Sequence, residues 1–157
     1  MIRFIAALDS RRGIADEHGI PWQGKLPSDM RWFRDHTLGH VLLMGRSTYD
    51  EFNGPLPGRQ NFVATHQASV PGAEAVSDVA AFLRTQPGDV WVIGGARLFE
   101  ATLSQADELY LTQLEGDFGC TKFFPPYQAA FKRAEAANPI TENGITYRFE
   151  VWRRKAS

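Results

Sequence analysis

Apolar residues along the chain gather into short runs separated by glycine- and proline-rich stretches, and several of the segments between them carry helical spacing. Ile2 to Leu8, His40 to Met44, Gln60 to Thr65, Val90 to Ile93 and Asp107 to Leu114 are rich in branched and large apolar side chains. They are too short for helices and read as strands, with Ile2 to Leu8 and His40 to Met44 expected to be the buried ones. Glu74 to Val76 reads as one more short strand. Helices are expected from about Pro27 to His36, from Gly45 to Phe52, from Asp78 to Gln86 with Val79, Phe82 and Leu83 on one face, and after Gly94-Gly95. Pro27 suits the first position of its helix, where its missing N–H costs nothing. Strand and helix alternate, so the predicted fold is α/β with a mainly parallel sheet.

The chain ends differently. Phe131 to Ala137 and Ile145 to Arg154 read as strands joined by the turn-rich segment 138–144, a closing antiparallel hairpin. The last strand alternates, with Ile145, Tyr147, Phe149 and Val151 on one face and Thr146, Arg148, Glu150 and Trp152 on the other. Asp9 to Lys25 contains Gly13, Gly19, Pro21 and Gly24 without periodicity and is expected to be a long loop, either a lid or an ordinary packed connection. Residues 115–129 are a second long loop.

Size and charge narrow the function. The 157 residues fit one domain, spanning 1–157, and 17 basic against 18 acidic residues give a net charge of −1 with no long run of one sign. Nucleic acid and anionic membrane are poor partners for such a surface, and a small molecule is the better expectation. Cys120 stands alone, so no internal disulfide is possible. His36 and His40 are four apart, but Gly39 is expected to end the helix between them, and no metal site is predicted. The opening residues carry a charge too early for a signal peptide and no apolar run approaches membrane length, which predicts a cytoplasmic protein.

Candidate chemistry falls where a parallel sheet places ligands, beyond the carboxyl ends of its strands: residues 6–7, 45–48, 65–67, 93–97 and 112. Gly45-Arg46-Ser47-Thr48 brings backbone N–H groups, hydroxyls and a guanidinium to one helix start, an arrangement that suits an anion or a simple cap. Gly94-Gly95 makes a second such junction, or only a turn, but not the G-x-G-x-x-G pattern of a Rossmann site. Pro55 and Pro57 stiffen the turn before Arg59, a residue suited to clamping a carboxylate when so held. Asp29 and Phe33 share a helix face, with Met30 beside them and Trp22 just upstream. Asp29 is then either an ordinary first-turn acid or the anchor of a slot for a flat heterocycle bearing N–H donors.

Taken together, Ile5-Ala6-Ala7, Ile20-Pro21-Trp22, Leu26-Pro27-x-Asp29-x-x-Trp32-Phe33, Met44-Gly45-Arg46-x-Thr48, Pro55-Leu56-Pro57-Gly58-Arg59, Ile93-Gly94-Gly95 and Leu109-Tyr110-Leu111-Thr112 resemble the dihydrofolate reductase family, in order and over nearly the full length. The resemblance implies reduction of 7,8-dihydrofolate to tetrahydrofolate by hydride from NADPH. It implies an eight-stranded sheet whose C-terminal strand is antiparallel, about four flanking helices, a cis peptide between Gly94 and Gly95, a monomer, and sensitivity to antifolate inhibitors. Asp29 and Thr112 would grip the pterin, while Ile20 and Trp22 would admit the water that protonates N5. Ile5, Ala6, Met30, Phe33, Phe52, Leu56 and Ile93 would wall the substrate, and Arg59 would pair with its glutamate tail. On the cofactor side the resemblance implies Ala7, Ile14 and Ile93 at the nicotinamide. Gly45, Arg46, Ser47, Thr48 and Gly94 to Phe99 (Gly95, Ala96, Arg97, Leu98) would lie along the dinucleotide, and Thr65, His66 and Gln67 near the 2′-phosphate. Four positions depart from the common pattern. Ser47 and Gly54 stand where basic residues are frequent, Phe99 replaces a tyrosine, and Gly24-Lys25 lengthens the loop before the helix. Two rivals remain at this stage: the related reductase of riboflavin synthesis, and a folate or nucleotide binder without turnover.

Overall fold

A computed structural model describes residues 1–156. In chain order the strands and helices are β1 (Ile2–Leu8), β2 (Gly13–Ala15), α1 (Pro27–Thr37), β3 (Val41–Gly45), α2 (Arg46–Glu51), β4 (Gln60–Ala64), β5 (Glu74–Val76), α3 (Val79–Thr85), β6 (Val90–Val92), α4 (Ala96–Thr102), β7 (Glu108–Leu114), β8 (Lys122–Phe123), β9 (Phe131–Ala136), β10 (Ile140–Glu142) and β11 (Ile145–Arg154). The main sheet runs β10-β11-β7-β1-β6-β3-β4-β5, and β9 also pairs with β11. From β7 to β5 every pairing is parallel, whereas β11 is antiparallel to β7, β9 and β10. Because β9 pairs with residues 150–154 of β11 and β10 with residues 145–147, the two lie in line along one edge, and the sheet is eight strands wide.

Alternation along β1 divides the interior. Phe4, Ala6 and Leu8 join Val92, Leu98, Phe99, Leu109 and Phe124 on one face of the sheet. Ile5 faces the other way, into Leu42, Met44, Val63 and Trp91, with Ala7 on that side in a third cluster around Trp22, Leu114 and Tyr147. Phe4, Leu42, Leu43, Val92 and Leu109 are fully buried, and each such side chain contributes roughly 1.5–3 kcal/mol of hydrophobic stabilisation. No helix among the described residues is long and apolar enough to cross a membrane.

Three short strands lie inside segments expected to be irregular. The first loop contains β2 and the second contains β8, and the two pair with each other. Each is too short to carry a hydrophobic period. The segment expected to be one long turn holds β10, and the turn itself is Asn143-Gly144, with both residues at positive φ (51° and 78°), the pairing that a two-residue hairpin turn demands. The two faces of β11 divide as expected, and Glu150, on the face of Arg148 and Trp152, is only 3% exposed. Arg133, Arg148 and the Trp152 indole all donate to its carboxylate, which makes that burial tolerable.

Candidate active site

Asp29 stands in the first turn of α1, a helix whose own N-cap residue, Leu26, offers no side-chain acceptor. Across from it, β7 runs parallel to β1 with Thr112 opposite Ala7, which turns the threonine hydroxyl to the Ile5–Ala7 face. That hydroxyl donates to Asp29 Oδ1 at 2.6 Å. Burial pushes the Asp29 carboxyl above its ordinary range, the Thr112 bond opposes the rise, and the negative charge of Glu142 adds to it. A sheltered acid with raised proton affinity, still reachable from solvent, is a candidate for binding an N–H-bearing ring and for proton handling.

The predicted wall residues divide. Ile5, Phe33, Phe52, Leu56 and Ile93 come together in one apolar cluster below α1. Met30 lies outside that cluster and is 54% exposed on the helix surface. Ala6 turns its side chain to the opposite face of the sheet, so only its backbone can serve a ligand on the Asp29 side. Trp22 is buried edge-on against Phe118 with ring centroids 5.3 Å apart, and Ile20, two residues before it, is exposed on the loop.

The two glycine junctions meet. Gly45 N–H donates to Gly94 O at 2.8 Å, and the Gly94-Gly95 peptide is cis, with Gly94 at a φ of +128° that suits only glycine. Thr48 Oγ1 lies against both: a Cβ at Gly94 or Gly95 would stand 3.6 or 3.5 Å from it. Arg46 at the start of α2 donates to Asp50 and to Gln67, linking the β3–α2 junction to the end of β4, where the Gln67 N–H donates to Thr65 Oγ1. Ser47, His66 and Arg97 are exposed around this rim. Leu98 and Phe99 point inward, Phe99 packing on Phe4 at 5.1 Å between ring centroids. Ile14, on β2, packs against the same interior.

Arg59 is held as the two prolines suggest. Its guanidinium donates to Pro57 O at 3.0 Å and to Thr37 Oγ1 at 3.1 Å. Burial and the neighbouring Arg34 both disfavour its charge, and no carboxylate pairs with it among the described residues. A cation so placed favours an anionic ligand.

Two residues at the site escaped the sequence reading. Glu142, on β10, accepts from Ser28 N at 3.1 Å, from Ser28 Oγ at 2.6 Å and from the Tyr147 hydroxyl, so it supplies the cap that α1 lacks. The Asn143-Gly144 turn signal, flanked by alternating residues, could have located its strand. Asp9 is 2% exposed and accepts the backbone N–H groups of Arg11, Gly13 and Phe118, tying the two long loops together. Nothing in its local sequence marks the contact with Phe118, more than a hundred positions away.

Fold and site together define an α/β domain with a sheltered acid and two facing glycine junctions at the carboxyl ends of its parallel strands, where such sheets bind small molecules. The dihydrofolate reductase family model matches residues 1–154. Dihydrofolate reductase of Staphylococcus aureus is 35% identical over 141 residues, covering 88% of this chain and 86% of that protein. The Bacillus subtilis enzyme is 32% identical over 164 residues, covering 100% and 96%. A solved structure, dihydrofolate reductase from Enterococcus faecalis complexed with NADP(H) and RAB-propyl, superimposes with a TM-score of 0.88 at 25% identity, over 99% of this chain and 97% of that one. The chain belongs to the dihydrofolate reductase family.

Proposed function

We propose that this chain reduces 7,8-dihydrofolate to tetrahydrofolate with NADPH, and that Asp29 is the residue on which the substrate is hung. The single observation that carries the reading is the Thr112–Asp29 hydrogen bond beneath a sheltered carboxylate of raised proton affinity, on the same sheet face as the Ile5–Phe33–Phe52–Leu56–Ile93 cluster. Asp29 and Thr112 bind the amino and N3 edge of the pterin and fix its orientation. That edge is remote from N5, so the proton reaches N5 through water, whose entry Ile20 and Trp22 control. Arg59 holds the glutamate carboxylate, which relieves the unfavourable pairing with Arg34. Gly45, Gly94 and Gly95 offer backbone, with the Thr48 hydroxyl against them, as a seat for the pyrophosphate, and Arg46 and the Thr65–Gln67 turn supply donors at its far end. Bound there, NADPH supplies the hydride.

NADPH and dihydrofolate mixed with the protein should lose the near-ultraviolet absorbance of NADPH in proportion to the dihydrofolate consumed. Binding without oxidation would identify a folate binder instead, and turnover of a ribosylaminopyrimidine but not of dihydrofolate would identify the riboflavin-type reductase. The chain is proposed to act as a monomer in the cytoplasm, with antifolates competing at the Asp29 slot.

A further inference from the structure

Glu142 stands outside the wall of the proposed site, yet it holds the helix that carries Asp29. Both of its carboxylate oxygens are engaged on Ser28, the residue next to Asp29: Oε1 takes the backbone N–H at 3.1 Å and Oε2 takes the hydroxyl at 2.6 Å, while the Tyr147 hydroxyl donates to Oε1. The following residue ties the same hairpin to the chain entering the helix, Asn143 Nδ2 donating to Lys25 O at 2.7 Å. The β10–β11 hairpin thus grips α1 at its first turn and fixes where that turn sits relative to Thr112 on β7. We propose, resting on the function assigned above, that Glu142 is a positioning residue for the reaction: by holding Ser28 it fixes where the Asp29 carboxylate stands, and it brings a second negative charge to the same helix turn. The polar groups facing Asp29 are few. Thr112 comes from β7, Glu142 from β10 and Tyr147 from β11, and on its own element stands Ser28, to whose Oγ the Arg31 guanidinium donates at 2.9 Å. Glu142 is the negative charge in this set and Arg31 partly offsets it.

Charge and tether can be separated by measuring the pH dependence of single-turnover NADPH oxidation with saturating dihydrofolate. In Glu142→Gln the midpoint at which the rate falls with rising pH should shift to lower pH, because the charge opposing Asp29 ionisation is gone. Glu142→Asp keeps the charge but not the reach, so its midpoint should stay while KM for dihydrofolate rises. Arg31→Gln, at an exposed position, leaves Glu142 unopposed and should move the midpoint up. A helix cap alone would lower the melting temperature without moving any midpoint, so superimposable profiles for wild type, Glu142→Gln and Arg31→Gln would overturn the inference. Failure of Glu142→Gln to fold leaves Arg31→Gln as the deciding variant. A wild-type chain that does not oxidise NADPH with dihydrofolate at all would overturn the functional reading itself, an outcome distinct from an active enzyme with unmoved midpoints.

Discussion

A sheltered carboxylate whose one hydrogen-bond partner is the Thr112 hydroxyl is costly to ionise, and under the proposed function a ligand offering N–H donors offsets that cost at Asp29. Arg59 is its counterpart under the proposed function: a cation beside Arg34, which an anionic group would relieve. Under that proposal the two residues make separable demands on the substrate. Arg59→Leu should weaken dihydrofolate binding by about 10- to 100-fold, the range for losing a charge-assisted hydrogen-bonded partner, and leave a pterin without the glutamate tail almost unaffected. Equal losses for both ligands, measured by fluorescence titration, would mean that Arg59 acts only through its ties to Pro57 and Thr37. At this scale the sequence was informative where a residue's neighbours are local. Pro55 and Pro57 announced a held Arg59, and i, i+4 spacing put Phe33 under Asp29. Glu142 and Glu150 were not legible, because what makes each of them tolerable is a set of partners from other strands.

Among the elements, the strands of the parallel sheet were readable because burial on both faces leaves an unbroken apolar run, and the helices after Gly45 and Gly94 because a glycine ends each strand. The short strands β2, β8 and β10 were hidden in loops, since two or three residues cannot show a period. The loops carrying β2 and β8 are tied together by the Asp9 carboxylate, which accepts N–H groups from both. Burial opposes ionisation of that carboxyl, but the N–H groups of Phe118, Arg11 and Gly13 outweigh it and hold its pKa below the ordinary range. A group with a depressed folded-state pKa contributes stability above its unfolded value, near 3.9, and loses it as pH falls through the folded value. Asp9→Asn turns an amide toward the Phe118 N–H and should destabilise the protein by about 1–3 kcal/mol at pH 7. Below roughly pH 4 the wild-type and variant denaturation midpoints should converge. Hydrogen exchange in residues 9–19 and 116–121 should accelerate with the substitution. A penalty that stays constant with pH would show that the carboxylate charge is not what ties the loops.

For the whole molecule, the topology does the assembling. Residues from β1, α1, β7 and the segment after β6 lie far apart in sequence, yet the parallel order β7-β1-β6-β3 delivers the ends of those strands to one rim, placing Thr112, Ala7, Ile93 and Gly45 around a common space. Eight positions across the sheet, the antiparallel last strand and the cis Gly94-Gly95 peptide all match what the family motifs implied. Under the proposed function one acid serves the substrate and has no part in holding the dinucleotide, which the paired glycines seat, and that division of labour can be measured. Stopped-flow single turnover with deuterated NADPH, run on wild type and Asp29→Asn alongside a separate titration of NADPH affinity, tests it directly. Hydride transfer at neutral pH should fall by roughly 100-fold or more in the variant, while NADPH binds both proteins equally. Undiminished transfer in Asp29→Asn, or a loss of NADPH affinity that accounts for the whole defect, would contradict the account.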